Sequence, residues 1–412
     1  MRVAVIGAGV SGLVAAHLLH REHDLTVYEA GDYAGGHSHT IRVDTPERTW
    51  SVDTGFIVMN DRNYPNFTRL LGQLGVNTQP THMGFSVKGE DEDFEYAGTP
   101  RGLFCQPANA ARPAFWRMVA DLTRFNRALR DMLRRDEPGP SLGEFLDRGN
   151  YSRMFIERLI VPQASAVWSA DPAQMWSFPL RFLAEFFANH GMLGLRDRPR
   201  WATVSGGSQR YVQALSAPFR ERIRLSSPVS SVTRTELDVA VESHGQTERY
   251  DQVVIATHSD QALGILADPS AQESRLLGAI AYQRNEAVLH TDNRLLPRRT
   301  VARQAWNFHL LREPKPVTTV TYYMNHLQSL DADRDFCVTL NHTEAIDPAR
   351  IIQTITYAHP VFTERGVQAQ AEHATISGVR RTHYCGAYWG WGFHEDGVVS
   401  ALRACAPFGV RL

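Results

Sequence analysis

The sequence predicts an α/β protein: a parallel sheet flanked by helices, joined to a discontinuous second domain of a helical insertion plus a mixed or antiparallel sheet. Three observations predict it. Arg2-Val3-Ala4-Val5-Ile6 is a short apolar, β-branched run of the kind buried in parallel sheets. Gly7-Ala8-Gly9-Val10-Ser11-Gly12 follows at once and leads into a helical pattern from Leu13 to His20. Far downstream, after a mainly helical stretch from Arg62 to about Asp197, Val229 to Thr233 and Asp251 to His258 again have strand composition. At 412 residues the chain exceeds one ordinary core.

Strand, glycine turn and helix together make the G-x-G-x-x-G element of a Rossmann-type nucleotide site. Gly7 permits the turn, and Gly9 lets the backbone approach a pyrophosphate. Gly12 lets helix and strand pack closely, with Val10 and Ser11 at the helix N-terminus under the phosphates. A second strand, Leu25 to Tyr28, ends at Glu29, placed to accept hydrogen bonds from a ribose, with Ala30 beside it.

After Glu29, the five residues Ala30-Gly31-Asp32-Tyr33-Ala34 lead to Gly35-Gly36-His37-Ser38-His39-Thr40. This resembles the E-x5-G-G-x-x-x-T pattern of the flavin-containing amine oxidase superfamily, and Tyr322 to Gln328, Gly386 to Gly390 and Phe393 to Gly397 resemble segments of its bacterial subgroup encoded beside cyclopropane-fatty-acid synthase-type enzymes. The resemblance implies FAD, with Gly35, Gly36, His37 and Ser38 against the pyrophosphate and ribityl chain. Where the family has arginine, this chain has His37. Asp53-Thr54-Gly55-Phe56 resembles the acid-x-Gly segment near the flavin ring, and an ordinary hairpin end reads almost as well. Val204 to Tyr211 resembles the family's glycine-led helix, Val229 its adenine contact and Ala256 the end of its cofactor strand. Thr382 to Gly397 resembles the closing motif, implying cofactor contacts from Gly386, Asp396, Gly397 and Val398 at the start of a last helix. The acid usual after the first glycine is replaced by Ala387. Cys385 is expected to be buried in its strand, leaving FAD noncovalent.

The composition narrows the function. Net charge is −1, which asks for no nucleic-acid partner, and 43% of residues are hydrophobic. Cys105, Cys337, Cys385 and Cys405 are scattered, as free thiols in a reducing compartment are. No apolar run is long enough to span a membrane. A cytoplasmic location is expected, with a peripheral contact to the inner membrane face as an option. Seventeen histidines show no metal-ligand spacing, so no metal is expected.

Between the cofactor segments, Arg62 to Gly75 reads as a helix and Phe85 to Glu95 as an exposed hairpin. Ala114 to Arg135 repeats apolar residues at helical spacing and carries Arg117, Arg124, Arg127, Arg134 and Arg135 on its other face. A basic amphipathic helix is either a solvated face or a membrane-surface contact. Glu137 to Pro140 ends it, and Ser141 starts another helix. Ser152 to Leu195 is the most apolar stretch. Within it Leu183, Phe186, Phe187 and His190 share one helical face, which reads as core or as the lining of an elongated apolar tunnel. Ala287 to His290 and Val317 to Met324 read as strands of a substrate-domain sheet. The expected division is 1–61, 198–260 and 376–412 for the FAD domain, and 62–197 with 261–375 for the substrate domain.

The closing loop carries the candidate chemistry. His394, Glu395 and Tyr388 are the catalytic candidates, with His394 as proton relay and Glu395 or Asp396 fixing its tautomer. The resemblance puts an aromatic residue at the His394 position in amine oxidases, and this chain offers no match to their lysine near N5. Both departures argue against simple amine oxidation; the subgroup resemblance and the apolar face of Leu183, Phe186 and Phe187 favour an acyl or other hydrophobic substrate, dehydrogenated (desaturated) by an FAD-dependent oxidoreductase. A redox-neutral double-bond isomerase, an amine oxidase releasing hydrogen peroxide, and a non-catalytic flavin module are the alternatives. Oligomeric state is left open.

Overall fold

The computed structural model describes residues 1–90, 93–135, 139–194 and 198–412. The Glu137-Pro138 helix stop, Leu195 and the residue 197 side of the expected domain junction lie outside them.

The apolar run Arg2–Ile6 is the central strand of a five-stranded sheet, ordered Ile223–Arg224, Asp24–Tyr28, Arg2–Ile6, Gln252–Ile255, Thr382–Tyr384, with every pair parallel. Val3, Ala4 and Val5 are fully buried: helix Val10–Leu19 covers the face of Val3 and Val5, and a three-stranded antiparallel sheet, Val229–Arg234, Val239–Ser243 and Gln246–Tyr250, covers the face of Ala4. The Val10–Leu19 helix packs on one face against the last helix, His394–Cys405. The sheet's strands come from three separate stretches of chain, which is how the first domain is interrupted and resumed.

The second sheet has seven strands, ordered Ile351–Val361, Ala281–His290, Cys337–Leu340, Val320–Tyr323, Trp306–Leu310, Phe85–Gly89, Glu95–Ala97. All its pairs are antiparallel except Trp306–Leu310 with Phe85–Gly89, so the sheet is mixed. Here the expectation of an exposed hairpin is corrected. Ser86, Val87, Glu95 and Tyr96 are buried. Their polar groups are satisfied inside the protein: the Ser86 hydroxyl donates to Asn307 Oδ1 (2.7 Å), and the Glu95 carboxylate accepts from the Arg298 and Arg299 amides. A polar pattern that reads as solvent-facing is here a set of matched internal hydrogen bonds.

The stretch 62–197 is also less purely helical than expected. Besides that hairpin it contains Thr78–Pro80, which pairs with Trp201–Val204, itself paired with Met59–Asn60. The helices Pro113–Leu133, Val161–Trp168 and Leu180–Asn189 close around a core that includes Phe115, Phe125, Leu129, Phe155, Phe178 and Phe187. Among the described residues no helix is long and apolar enough to cross a membrane.

Candidate functional site

A cavity of about 2320 Å³ runs from the end of the parallel sheet into the helical part of the second domain. A single small-molecule site occupies about 300–1,000 Å³, so there is room here for a large cofactor and a substrate together.

At the sheet end, Gly9 has extended backbone (φ −73°, ψ −178°) and starts the Val10–Leu19 helix without a side-chain cap. A Cβ built on Gly9 meets no protein atom within 4 Å: it points into the open cavity over the helix N-terminus, where amides without intrahelical partners favour an anion. Gly36 has φ +58°, and a Cβ there would lie 3.1 Å from Gly9 Cα. The two glycine stretches therefore abut, tied by the Gly35 amide donating to Ala8 O (2.8 Å). The Glu29 carboxylate accepts from the Ala8 amide (2.7 Å) and the Gly31 amide (2.8 Å), which orient it beside the cavity. A bare backbone cradle at a helix N-terminus with an acid beside it fits the pyrophosphate and ribose of FAD. None of the four cysteines lines the cavity, so no thiol is in place to link covalently to it.

Of the residues expected at the cofactor, Gly7, Gly9, Val10, Ser11, Glu29, Ala30, Gly35, Gly36, His37, Thr54, Gly55, Val229, Ala256 and Gly386 line the cavity, and so do Tyr388 and His394. Six others do not. Gly12 is a packing glycine, since a Cβ there would sit 1.9 Å from Gly7 O. Ser38 is fully buried and bonds to Tyr211 and His394. The remaining four are Glu395, Asp396, Gly397 and Val398. The last helix begins at His394, four residues earlier than expected, so these residues belong to its first turns and not to a loop. Gly397 lets that helix meet Val10 and Ser11, and the Val398 side chain is in the core. Asp396 accepts from the Phe393 amide (2.9 Å) as a cap, and its burial pushes its carboxyl up to about 6.

Glu395 is turned away from the cavity. It accepts from the Asn66 amide (3.1 Å), Asn66 Nδ2 (2.7 Å) and the Phe67 amide (2.9 Å), and so caps the Pro65–Gln73 helix. We expect Glu395→Ala to lower stability by about 1–2 kcal/mol and to leave flavin binding intact, checked by urea unfolding beside flavin absorbance. A substrate-reduction rate that falls at unchanged stability would restore Glu395 to the chemistry.

His394 lines the cavity. Its Nε2 is hydrogen-bonded to Ser38 Oγ (2.8 Å) and Tyr211 OH (3.0 Å), and its ring stacks on Phe56 with centroids 3.5 Å apart. Burial pushes its pKa down to about 3, so the ring is neutral. Its ring is held by Ser38 and Tyr211, while Glu395 and Asp396 bond to backbone amides elsewhere. A neutral ring with Nε2 engaged positions its neighbours; it does not titrate near neutral pH.

His37, standing at the family's arginine position, carries no charge to a phosphate. Its ring stacks on Tyr357 (4.8 Å) and lies 5.2 Å from His359 and 6.5 Å from His258, all of them cavity residues. Burial, reinforced by the neighbouring histidines, holds it well below the usual range, and burial takes His359 down to about 4. The sequence reading missed this group. The available signal was the i, i+2 spacing of Tyr357 and His359, which puts both on one face of a strand. Asp53 was also unassigned in detail: it is fully buried, and accepts from Ser208, Thr40 and Gln328, joining both domains.

The far arm of the cavity is walled by apolar side chains, including Leu122, Leu159, Val167, Trp168, Phe186 and Phe393. Phe393 stacks on Phe186 at 5.2 Å. Of the face Leu183, Phe186, Phe187 and His190, only Phe186 and His190 reach the cavity, while Leu183 and Phe187 stay in the core. The chain has two lysines, and neither lines the cavity. Lys88 donates to Arg294 O and Leu296 O, and Lys315 to Asn341 O and Glu344.

Comparison with known proteins agrees with this geometry. The family model described as flavin containing amine oxidoreductase matches residues 10–325. The chain is 27% identical over 283 residues to L-amino-acid oxidase of Mus musculus, covering 64% of this chain and 42% of that protein. It spans about half the length of the curated relatives it matches. Among solved structures, cyclohexylamine oxidase from Brevibacterium oxydans superposes with a TM-score of 0.72 at 18% identity, covering 98% of each chain. A fatty acid isomerase from P. acnes that produces CLA superposes with a TM-score of 0.68 at 15% identity, covering 99% of this chain and 98% of that one. With the family match extending over most of its length, the chain belongs to the flavin containing amine oxidoreductase family, whose cofactor is FAD.

Proposed function

We propose that this chain is an FAD-dependent oxidoreductase that dehydrogenates an elongated apolar substrate, an acyl chain or lipid. One observation carries the reading: the cofactor cradle opens directly into a long apolar arm that no lysine reaches. Bound FAD supplies a hydride acceptor. The chain's own residues do the rest. Gly9, Glu29 and Gly36 hold the cofactor, Phe186 and Phe393 form a flat wall for an extended chain, and the apolar arm excludes water. Burial holds the rings of His37, His359 and His394 below the usual histidine range, so these three add no positive charge near neutral pH.

The test is anaerobic mixing of the yellow protein with long-chain acyl lipids and, separately, with primary amines, followed through the flavin's visible band. Bleaching by an acyl compound that leaves it two hydrogens poorer is the expected result. Val167→Trp, which fills the arm, should lower kcat/KM for long chains by about tenfold or more, about 1.4 kcal/mol, with less effect on short ones. Bleaching by amines with peroxide formed on admitting oxygen would overturn the reading. Moved double bonds without net oxidation would replace dehydrogenation by isomerisation.

A further inference from the structure

We infer that the mouth of this cavity is a docking surface for an anionic lipid bilayer, with the Pro113–Leu133 helix lying on it. One side of that helix, through Val119, Leu122, Asn126 and Arg130, forms a wall of the cavity. The adjoining side, through Trp116, Arg127 and Arg134, is exposed. At 100° per residue these two stripes are neighbours, so the exposed one adjoins the cavity wall.

Two features of that rim fit a membrane interface. The first is aromatic: Phe104 is 38% and Trp116 50% exposed, their rings lie 5.3 Å apart, and Phe104 itself lines the cavity. Amphipathic aromatic side chains favour the headgroup level. The second is charge. Residues 99–135 hold eight arginines and two aspartates, in a chain whose net charge is −1. Asp121 is buried and already shared by Arg117 and Arg124, while Arg127 makes no ion pair among the described residues. Arg198, exposed and at the cavity, adds to the basic rim, while Arg200 beside it is paired with Asp61 (2.8 Å). Segregating this much positive charge around an apolar opening matches anionic headgroups above acyl tails. Duplex nucleic acid would answer the charge but leave the apolar arm without an occupant. The passage of an acyl chain through this mouth rests on the proposed substrate; the docking does not.

The experiment is flotation of the FAD-loaded protein with phosphatidylcholine vesicles, with and without phosphatidylglycerol. Binding that requires phosphatidylglycerol and falls with salt is expected, with each arginine worth about fivefold in partitioning. Arg127→Glu with Arg134→Glu should weaken it about 25-fold or more, Arg127→Lys with Arg134→Lys should restore it, and Trp116→Ser should weaken it without changing its salt dependence. None of these should alter flavin content or flavin reduction by detergent-dispersed substrate. Absence of vesicle binding, equal binding to both vesicle types, or tighter binding to duplex DNA than to anionic vesicles would overturn the docking surface. Vesicle binding by a protein whose flavin no acyl compound reduces would keep the surface and sink the substrate reading instead.

Discussion

Gly9→Val should yield a folded protein without flavin. The backbone at Gly9 is extended and open to any residue, and a Cβ there meets no protein atom within 4 Å. The fold therefore tolerates the branched side chain, which occupies the space where the pyrophosphate approaches the helix N-terminus. Affinity for FAD should fall by roughly 10²-fold or more, about 2.7 kcal/mol, while the unfolding midpoint of the apoprotein stays near that of the wild type. Gly12→Ala is the contrast. Its Cβ would sit 1.9 Å from Gly7 O, so that change should damage the fold itself. Visible absorbance of the purified variants beside their urea unfolding curves separates the two effects. Full flavin occupancy in Gly9→Val would mean that the cradle has been misassigned.

The second large effect is acid lability. His190, His290, His383 and His394 are buried, and burial takes the first three down to about 4 and His394 to about 3. Each is neutral in the folded protein and free to protonate near 6.5 once unfolded. Between about pH 4 and 6.5 the unfolded chain therefore binds more protons, so stability rises with pH through that window and is lost as pH falls through it. Each ring should cost roughly 1–2 kcal/mol on going from pH 7 to 5, together a large share of a typical total of about 5–15 kcal/mol. Asp53 and Asp396 work the other way. Burial raises both from 3.8 to about 6, so between those values the folded state holds the extra protons and gains as pH falls. Four histidines outweigh two aspartates, and the net expectation is a steep fall in unfolding midpoint between pH 6.5 and 5, measurable by urea unfolding at several pH values. A flat profile across that range would show the histidines to be solvated.

The cofactor half of the site was legible because its determinants are local. Strand, glycines and helix start are consecutive residues, and each glycine answers a backbone requirement that sequence spacing expresses directly. That is why Gly9, Glu29, Gly35 and Gly36 stand at the cavity together. The closing motif was legible as a motif but misleading in detail. A helix starting at His394 instead of Val398 swings Glu395 onto the amides of Asn66 and Phe67, more than 300 residues away in sequence. Nothing near Glu395 in the chain announces that partner.

The sequence by itself determined the α/β class, the interrupted cofactor domain and the flavin cradle, because backbone conformation and close backbone approach are properties of a few adjacent residues. Only the tertiary structure decided which side chains face the cavity. It divided one helical face between core and tunnel, sending Phe187 inward and Phe186 to the wall. It gathered His37, His258 and His359 from three distant segments and, by burying His37 and His359, held both rings neutral. Burial and long-range pairing set protonation and orientation, and both depend on what packs against a residue more than on what precedes it.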